Sequence, residues 1–396
     1  MNKTVIINAS LITPHGIEAD TCLAFEDGKI VFVGDYPVNG SQVIDAKGEY
    51  VSAGFIDIHT HGAGGFDYMD GTVRAIHGAA RASAVHGATM VFPTSVAASK
   101  AEVLQFIETY KKAKQQPHEG ALLGGIHLEG SYFSLKMAGA QNPEYIVNPD
   151  PSEYTDIADA AGDDLKRWSA APELPGAFEF GDFLKKRGIL VSVAHSDAYT
   201  QQVLDAVSHG FTHITHMYSA MSTVRRENAR RYGGVVEAAY LSDLITVEMI
   251  CDGMHLPKEL LQLIIRIKGP ENICLITDSM RAAGQDVSES ILGSVENGQR
   301  VLVKEGVAWM PSMQNFAGSV ATCDRLVRTA VELAGVSLRQ AVMMMTETPA
   351  RIMGIGDVKG RLVAGYDADL VIFDKDVNIS RTIIGGKTIY QKPLRP

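Results

Sequence analysis

Through the middle of the chain, eight apolar runs each close on polar residues: 54–61, 90–94, 124–130, 168–173, 190–196, 211–216, 246–252 and 273–278. Short runs that stay apolar instead of alternating read as strands buried on both faces. Amphipathic stretches such as 100–112, 176–187 and 200–209 fall between most of them and read as helical crossovers. Eight such strands predict an α/β fold, a TIM-like (β/α)8 barrel, whose active site gathers where the strands end. A doubly wound open sheet would give a similar rhythm, but it would not need reactive groups at nearly every strand end.

The two ends of the chain have a different texture. Residues 5–7, 21–25, 30–33 and 42–45 alternate apolar and polar, with turn signals at Asp27-Gly28 and Asn39-Gly40. Near the other end, 369–374 and 382–390 each read as a strand. A chain that begins and ends in β predicts a small β-sandwich domain built from residues 1–50 and 360–396, with the barrel over 51–359. No linker or internal repeat separates the parts.

The bulk numbers narrow the partners. A chain of 396 residues, 46% apolar, can bury a large core and exceeds the usual size of one domain. Its formal net charge of −10 argues against a nucleic-acid-binding surface. The cysteines Cys22, Cys251, Cys274 and Cys323 are scattered and form no C-x-x-C pair, the pattern of a reduced compartment. The apolar stretch 6–12 is short and broken by Asn8 and Ser10, unlike a signal peptide, and no run approaches membrane-spanning length. A soluble, cytoplasmic protein is expected.

The strand ends carry the candidate chemistry. His59 and His61 close the first run; positions i and i+2 of a strand share a face, so both imidazoles can reach one ion. A lone histidine is more often a hydrogen-bonded core or surface residue, whereas this pair precedes a Gly-rich loop, 62–65, that leaves the backbone accessible. Glu129 ends the third run, and a carboxylate among buried apolar residues must be paired, protonated or bound to metal. A salt bridge to an arginine is the structural alternative. His127 lies deeper and reads as packing. His195 and His216 end the fifth and sixth runs. His213, an odd step from His216, is expected on the opposite face, so position favours His216 as the ligand. With Glu129, these two imidazoles make a set suited to zinc or iron(II) with a position left for water. Asp278 closes the eighth run and suits a general base, or equally the N-cap of a following helix. His255 follows the seventh run and could polarise a carbonyl. His15, His77, His86, His118 and His209 fall outside strand ends and read as structural or exposed.

Taken together, these residues resemble the amidohydrolase superfamily, and within it the N-acetylglucosamine-6-phosphate deacetylases. The resemblance spans nearly the whole chain. It includes 54–62, His127-Leu128-Glu129-Gly130, Ala171-Pro172-Glu173, 194–198, 216–221, Asp252-Gly253-Met254-His255, 276–280, 316–319, 348–351 and 368–371. It implies that Glu129, His195 and His216 hold a main metal, and that His59 and His61 hold a second one bridged through Glu129. It also implies Asp278 as proton shuttle and His255 as the carbonyl-polarising group. Ser219, Ala220, Phe316 and Ala317 would offer backbone groups to the substrate. Alignment on Gly234-Val235-Val236 gives Arg231 as the phosphate-binding residue, with Arg225, Arg226 and Arg230 in competition. One or two ions per subunit and a homodimer, in which an arginine reaches the neighbour's site, follow from the same likeness.

Three departures fall at the substrate end. Ser131-Tyr132 replaces the family's Pro-Phe, Gln141 stands where the family has a substrate-touching histidine, and Ser219 stands where it has asparagine. The expected reaction is metal-dependent hydrolysis of the N-acetyl amide of an amino sugar 6-phosphate, giving the amine and acetate. Alternatives on the same fold are a galactosamine-type or unphosphorylated N-acetyl hexosamine, an N-acyl amino acid, or a cyclic amide. A non-catalytic sugar-phosphate sensor would have no reason to keep Asp278 with all the ligands.

Overall fold

The computed structural model describes residues 3–34, 37–38 and 41–393, so the turn expected at Asn39-Gly40 lies outside the described residues. Its architecture is mixed α/β. Eight parallel strands follow the apolar runs: β1 (Phe55–Thr60), β2 (Ala88–Pro93), β3 (Ile126–Glu129), β4 (Leu165–Ala170), β5 (Leu190–Val193), β6 (Phe211–Ile214), β7 (Thr246–Met249) and β8 (Ile273–Leu275). β1 pairs with β2, and β3 to β8 pair in sequence, all in parallel register. A parallel bridge between Thr94 and His127 links the two groups, and another between Thr60 and Ser279 returns the series to β1.

Helices fill the intervals, as parallel strands require. Lys100–Lys114 begins at a capping box between Ser99 and Glu102 and ends in a basic last turn. Pro151–Ala161 has Asp150 as its N-cap and Pro151 in its first turn. The amphipathic stretch at 176–187 is the helix Ala177–Lys186, and the one at 200–209 is Thr200–Ala206 followed by a 3-10 turn. Their apolar faces meet the strands in one continuous core containing Trp168, Phe180, Phe211, Phe106 and Tyr110. Among the described residues, no helix is long and apolar enough to cross a membrane.

Both chain ends enter one eight-stranded sheet. Thr4–Thr13 sits between Gly16–Glu26 and Tyr50–Ala53, and Tyr50–Ala53 pairs on its other edge with Leu370–Phe373. Ile6, Leu11, Leu23, Phe25, Val51, Leu370 and Ile383 form its separate core. Strand Tyr50–Ala53 carries this sheet three residues past the expected boundary at 50. Two sequence readings need correction. The first strand spans ten residues instead of the three at 5–7, because Asn8 takes a left-handed φ of 51° and the register shifts between Ile6 and Ala9. The tail segment 382–390 is a hairpin, Ile379–Ile384 with Lys387–Gln391, turned at Gly385-Gly386 with φ of 53° and 76°. Two consecutive positive φ angles make the tight turn that matches strand twist, and glycine reaches them without strain.

Three antiparallel elements carry no counterpart in the sequence reading, the smallest pairing Gly62–Ala63 with Phe66–Asp67 just after β1. A four-stranded sheet, Glu289–Leu292, Gln299–Lys304, Val307–Trp309 and Phe316–Ser319, follows β8 and bridges to it at Ser279 and Ser319. A short hairpin, Arg225–Glu227 with Arg230–Tyr232, follows β6.

Candidate active site

Glu129 is the centre of the site. It ends β3 fully enclosed, with its backbone N–H donating to Ser95 Oγ at 3.1 Å. Its Oε1 lies 2.9 Å from His216 Nε2 and 3.6 Å from both His59 Nε2 and His195 Nε2. Its Oε2 lies 3.4 Å from His61 Nε2 and accepts a hydrogen bond from Gln141 Nε2 at 2.9 Å. Asp278 approaches from the end of β8, its Oδ1 3.1 Å from His61 Nε2 and 3.4 Å from His59 Nε2. Two three-residue groups result, His59–His61–Glu129 and Glu129–His195–His216, each with its ligand atoms within 4.8 Å of one another.

The backbone aims these side chains by leaving regular strand geometry. His195, His216 and Asp278 all have positive φ, at 45°, 29° and 45°. Non-glycine residues hold this conformation at a cost of about 1–3 kcal/mol each, and such strain clusters at functional sites. The consequence is clearest in β6. His213 and Thr215 share the face that meets Glu248 and Arg167, so strict alternation would send His216 to the other face. The left-handed step carries its ring back over the strand ends to Glu129.

The supports behind the histidines were not read from the sequence. His59 Nδ1 meets Glu248 Oε2 at 3.0 Å, and the same oxygen accepts the His216 backbone N–H at 3.0 Å. The other Glu248 oxygen is paired with Arg167 Nη1. Arg167 also donates through Nε to Ser192 Oγ at 2.9 Å and through Nη2 to Thr215 Oγ1 at 2.7 Å. Glu248 and Arg167 were visible as charges inside apolar strands, where an unpaired charge is untenable. Their pairing across 81 positions was not. His195 is oriented by its Nδ1 contact with Met137 O at 2.8 Å, and His255 by Asp252 Oδ2 on its Nδ1 at 2.8 Å. His127 sits below, between Thr94 Oγ1 and Ser169 Oγ, at 3.2 and 2.7 Å.

The electrostatics follow from burial and charge. Burial opposes ionisation of Glu129, yet the charge on His59 and the close imidazoles of His195 and His216 hold its carboxyl well below the usual range. Asp278 is likewise pulled below the ordinary value, against burial, by His59 and His61. In return, and again against burial, Glu129, Glu248 and Asp278 push His59 well up. Asp278 and Glu129 lift His61 to about 9. Clustered carboxylates here demand positive charge. Protons on the imidazoles supply it, and a divalent cation would satisfy the same oxygens more compactly. Fully buried His59 Nε2 has no hydrogen-bond partner, which suits a nitrogen meant for a metal. The donor set of imidazoles and carboxylates fits a divalent transition ion.

His61, Glu129, His195, His216 and Asp278 line a cavity of about 380 Å³, from which His59 is set back. Of the expected substrate contacts, Gln141, Ser219, Ala220, His255 and Phe316 line it. Ala317 is buried outside the lining in the core of the four-stranded sheet. Arg231 is exposed on the 225–232 hairpin and does not line this cavity; its side chain donates to Ala229 O. Lys136, which no motif singled out, stands at the rim and is paired with Asp197 at 3.0 Å.

The chain belongs to the amidohydrolase family, whose model matches residues 50–389. It is a metal-dependent family of hydrolases, and this chain is a hydrolytic enzyme. It is 31% identical to the N-acetylglucosamine-6-phosphate deacetylase of Lysinibacillus sphaericus over 97% of both chains. It is 30% identical to the N-acetylgalactosamine-6-phosphate deacetylase of Escherichia coli O157:H7, over 95% of this chain and 97% of the relative. The crystal structure of N-acetylglucosamine-6-phosphate deacetylase from Pasteurella multocida superposes with a TM-score of 0.90 at 27% identity, covering 98% of this chain and 99% of that one.

Proposed function

We propose that this chain hydrolyses the N-acetyl amide of N-acetylglucosamine 6-phosphate, releasing acetate and glucosamine 6-phosphate. The observation that carries the reading is the sharing of Glu129. Its two oxygens face two histidine pairs, and Asp278 stands beside one of them at the floor of a single open cavity. That cavity falls in the range of small-ligand clefts, roughly 300–1,000 Å³. The names of the relatives supply the substrate.

Glu129, His195 and His216 would hold the principal divalent ion, zinc or alternatively iron, and His59 and His61 with Glu129 a second. Such an ion, when bound, acidifies a water and polarises a carbonyl oxygen. The remaining work belongs to side chains. Asp278, kept ionised by the imidazoles around it, accepts the proton of the attacking water. It then returns that proton to the amide nitrogen as the C–N bond breaks, so the amine leaves as a neutral group. His255 is pinned by Asp252, packed against Phe316 with ring centroids 4.7 Å apart, and lines the cavity, where its free edge would meet the acyl oxygen.

The strand pairings, with their bridges at Thr94 and Thr60, support a closed (β/α)8 barrel; the sheet shared by the chain ends supports a small β-sandwich domain beside it. The cysteines of the described chain are all free, which agrees with a cytoplasmic setting. The exposed 225–232 hairpin, with Arg226, Arg230 and Arg231 beside exposed Val224 and Tyr232, supports a homodimer in which one of these arginines serves the neighbour's cavity.

A second reading takes the galactosamine epimer as substrate. It is favoured by the Escherichia coli O157:H7 relative and by Gln141 in place of the histidine. Acetate release measured on both N-acetyl hexosamine 6-phosphates, unphosphorylated N-acetylglucosamine and an N-acetyl amino acid separates these readings. Turnover of the glucosamine-type phosphate with the highest kcat/KM is the expected result. A preference for any of the other three overturns the substrate assignment.

A further inference from the structure

Gln141 contacts the metal-binding carboxylate directly, and its geometry is fully determined. Its Oε1 accepts the Ala97 backbone N–H at 2.7 Å. A backbone N–H can only donate, so the orientation of the amide is fixed and Nε2 must be the group facing Glu129 Oε2 at 2.9 Å. With 8% exposure it is nearly enclosed, yet it forms part of the cavity wall. The loop that carries it is held from two sides. Met137 O meets His195 Nδ1 at 2.8 Å, and Ala140 O accepts a hydrogen bond from Gln299 of the four-stranded sheet at 2.7 Å.

This contact makes the two carboxylate oxygens unequal. Oε1 faces three imidazoles, those of His59, His195 and His216. Oε2 faces one imidazole, His61, and has one of its lone pairs engaged by the Gln141 amide. A hydrogen bond to a ligand oxygen orients it and withdraws electron density that would otherwise go to a cation.

We propose that Gln141 is a positioning residue that sets metal occupancy. It locks Glu129 with Oε1 toward the His195–His216 pair and weakens Oε2 as a donor to an ion on the His59–His61 pair. The chain therefore has one tight and one loose site. The inference rests on the metal-binding reading of the ligand groups.

The test is titration of the chelator-stripped full chain with cobalt(II), followed by visible absorption, and with zinc against a competing chelator. Wild type is expected to take up two ions with stepwise dissociation constants at least tenfold apart. Gln141→Met keeps the side-chain volume and removes the donor, so it should narrow that gap about tenfold and change the cobalt spectrum of the first equivalent. Gln141→His, which restores a donor, should recover most of the gap. Gln141→Ala serves as a second donor-free variant, and the unfolding temperatures of the stripped proteins control for folding. If the wild-type chain binds no divalent ion, the metal-binding reading itself fails. If it binds two ions while the Met and Ala variants keep the wild-type constants and spectrum, only the role of Gln141 is overturned.

Discussion

Glu248 joins Arg167 to His59: one of its oxygens is paired with the guanidinium, and the other lies 3.0 Å from the imidazole Nδ1. All three side chains are fully buried. The ion pair therefore sits beneath the site as a fixed base, and its charge is relayed to the ring that faces Glu129.

Arg167→Met keeps the side-chain length and deletes the charge. Glu248, held well below its ordinary pKa against burial by Arg167 and His59, would be left as an undercompensated buried anion. Removing one partner of such a pair costs about 3–5 kcal/mol. Chemical denaturation should show that loss. Arg167→Met combined with Glu248→Gln should recover a large part of it, and a single variant as stable as wild type would contradict the pairing.

Asp278→Asn should lower kcat by about 10²–10⁴-fold, the usual worth of a positioned general acid–base. Metal content should stay near that of wild type, because His195, His216 and Glu129 are untouched. Near-normal turnover in the variant would remove Asp278 from the proton-transfer role.

Metal removal should abolish activity and change how stability responds to pH. In the stripped chain His61 is raised to about 9 by Asp278 and Glu129, above the unfolded value of 6.5. A raised histidine stabilises the fold fully below pH 6.5, and that contribution fades as pH climbs through 9. The unfolding temperature of the stripped chain should therefore fall between pH 6.5 and 9. Added zinc competes with protons for the same nitrogens, so its stabilising effect should grow across that interval. Parallel pH profiles with and without zinc would contradict coupling between this histidine and the ion.

Gly318 lies against the carbonyl of Asp278. With φ of 66°, a Cβ at this position would come 2.8 Å from Asp278 O. Gly318→Ala should cost about 1–3 kcal/mol through its left-handed backbone. It should also cut kcat about tenfold or more by displacing Asp278. Ser319 N–H donates to that same carbonyl at 2.7 Å, so both effects arise from one strained junction. Unfolding curves and kcat measured on the same variant check this, and an unaffected kcat would detach the loop from catalysis.

The parts of the molecule readable from its residues are those set by local pattern. Eight buried strands appear as apolar runs because parallel strands covered on both faces need no polar side. His59, His61, Glu129, His195, His216 and Asp278 stand out because each breaks such a run at its end. What escaped depends on distance or on weak alternation. The Arg167–Glu248 pair spans 81 positions, and no spacing rule links its members. The four-stranded sheet that supplies Phe316 has half-exposed strands, such as Gln299–Lys304, whose polar content hides the pattern. The orientation of His216 turns on a single φ of 29°, which no residue type announces. Alignment gives Arg231 as the phosphate-binding residue, with Arg225, Arg226 and Arg230 in competition, and none of the four lines this chain's own cavity.

The strand Tyr50–Ala53 takes its outer neighbour from Leu370–Phe373, more than three hundred positions later. During synthesis that edge must wait, open, while all eight parallel strands leave the ribosome. An unpaired edge is a template for wrong partners, and contacts so distant in sequence form slowly. The eight parallel strands can thus begin to assemble on the nascent chain, whereas the sheet that holds Tyr50–Ala53 is completed only once residues 370–391 have been made.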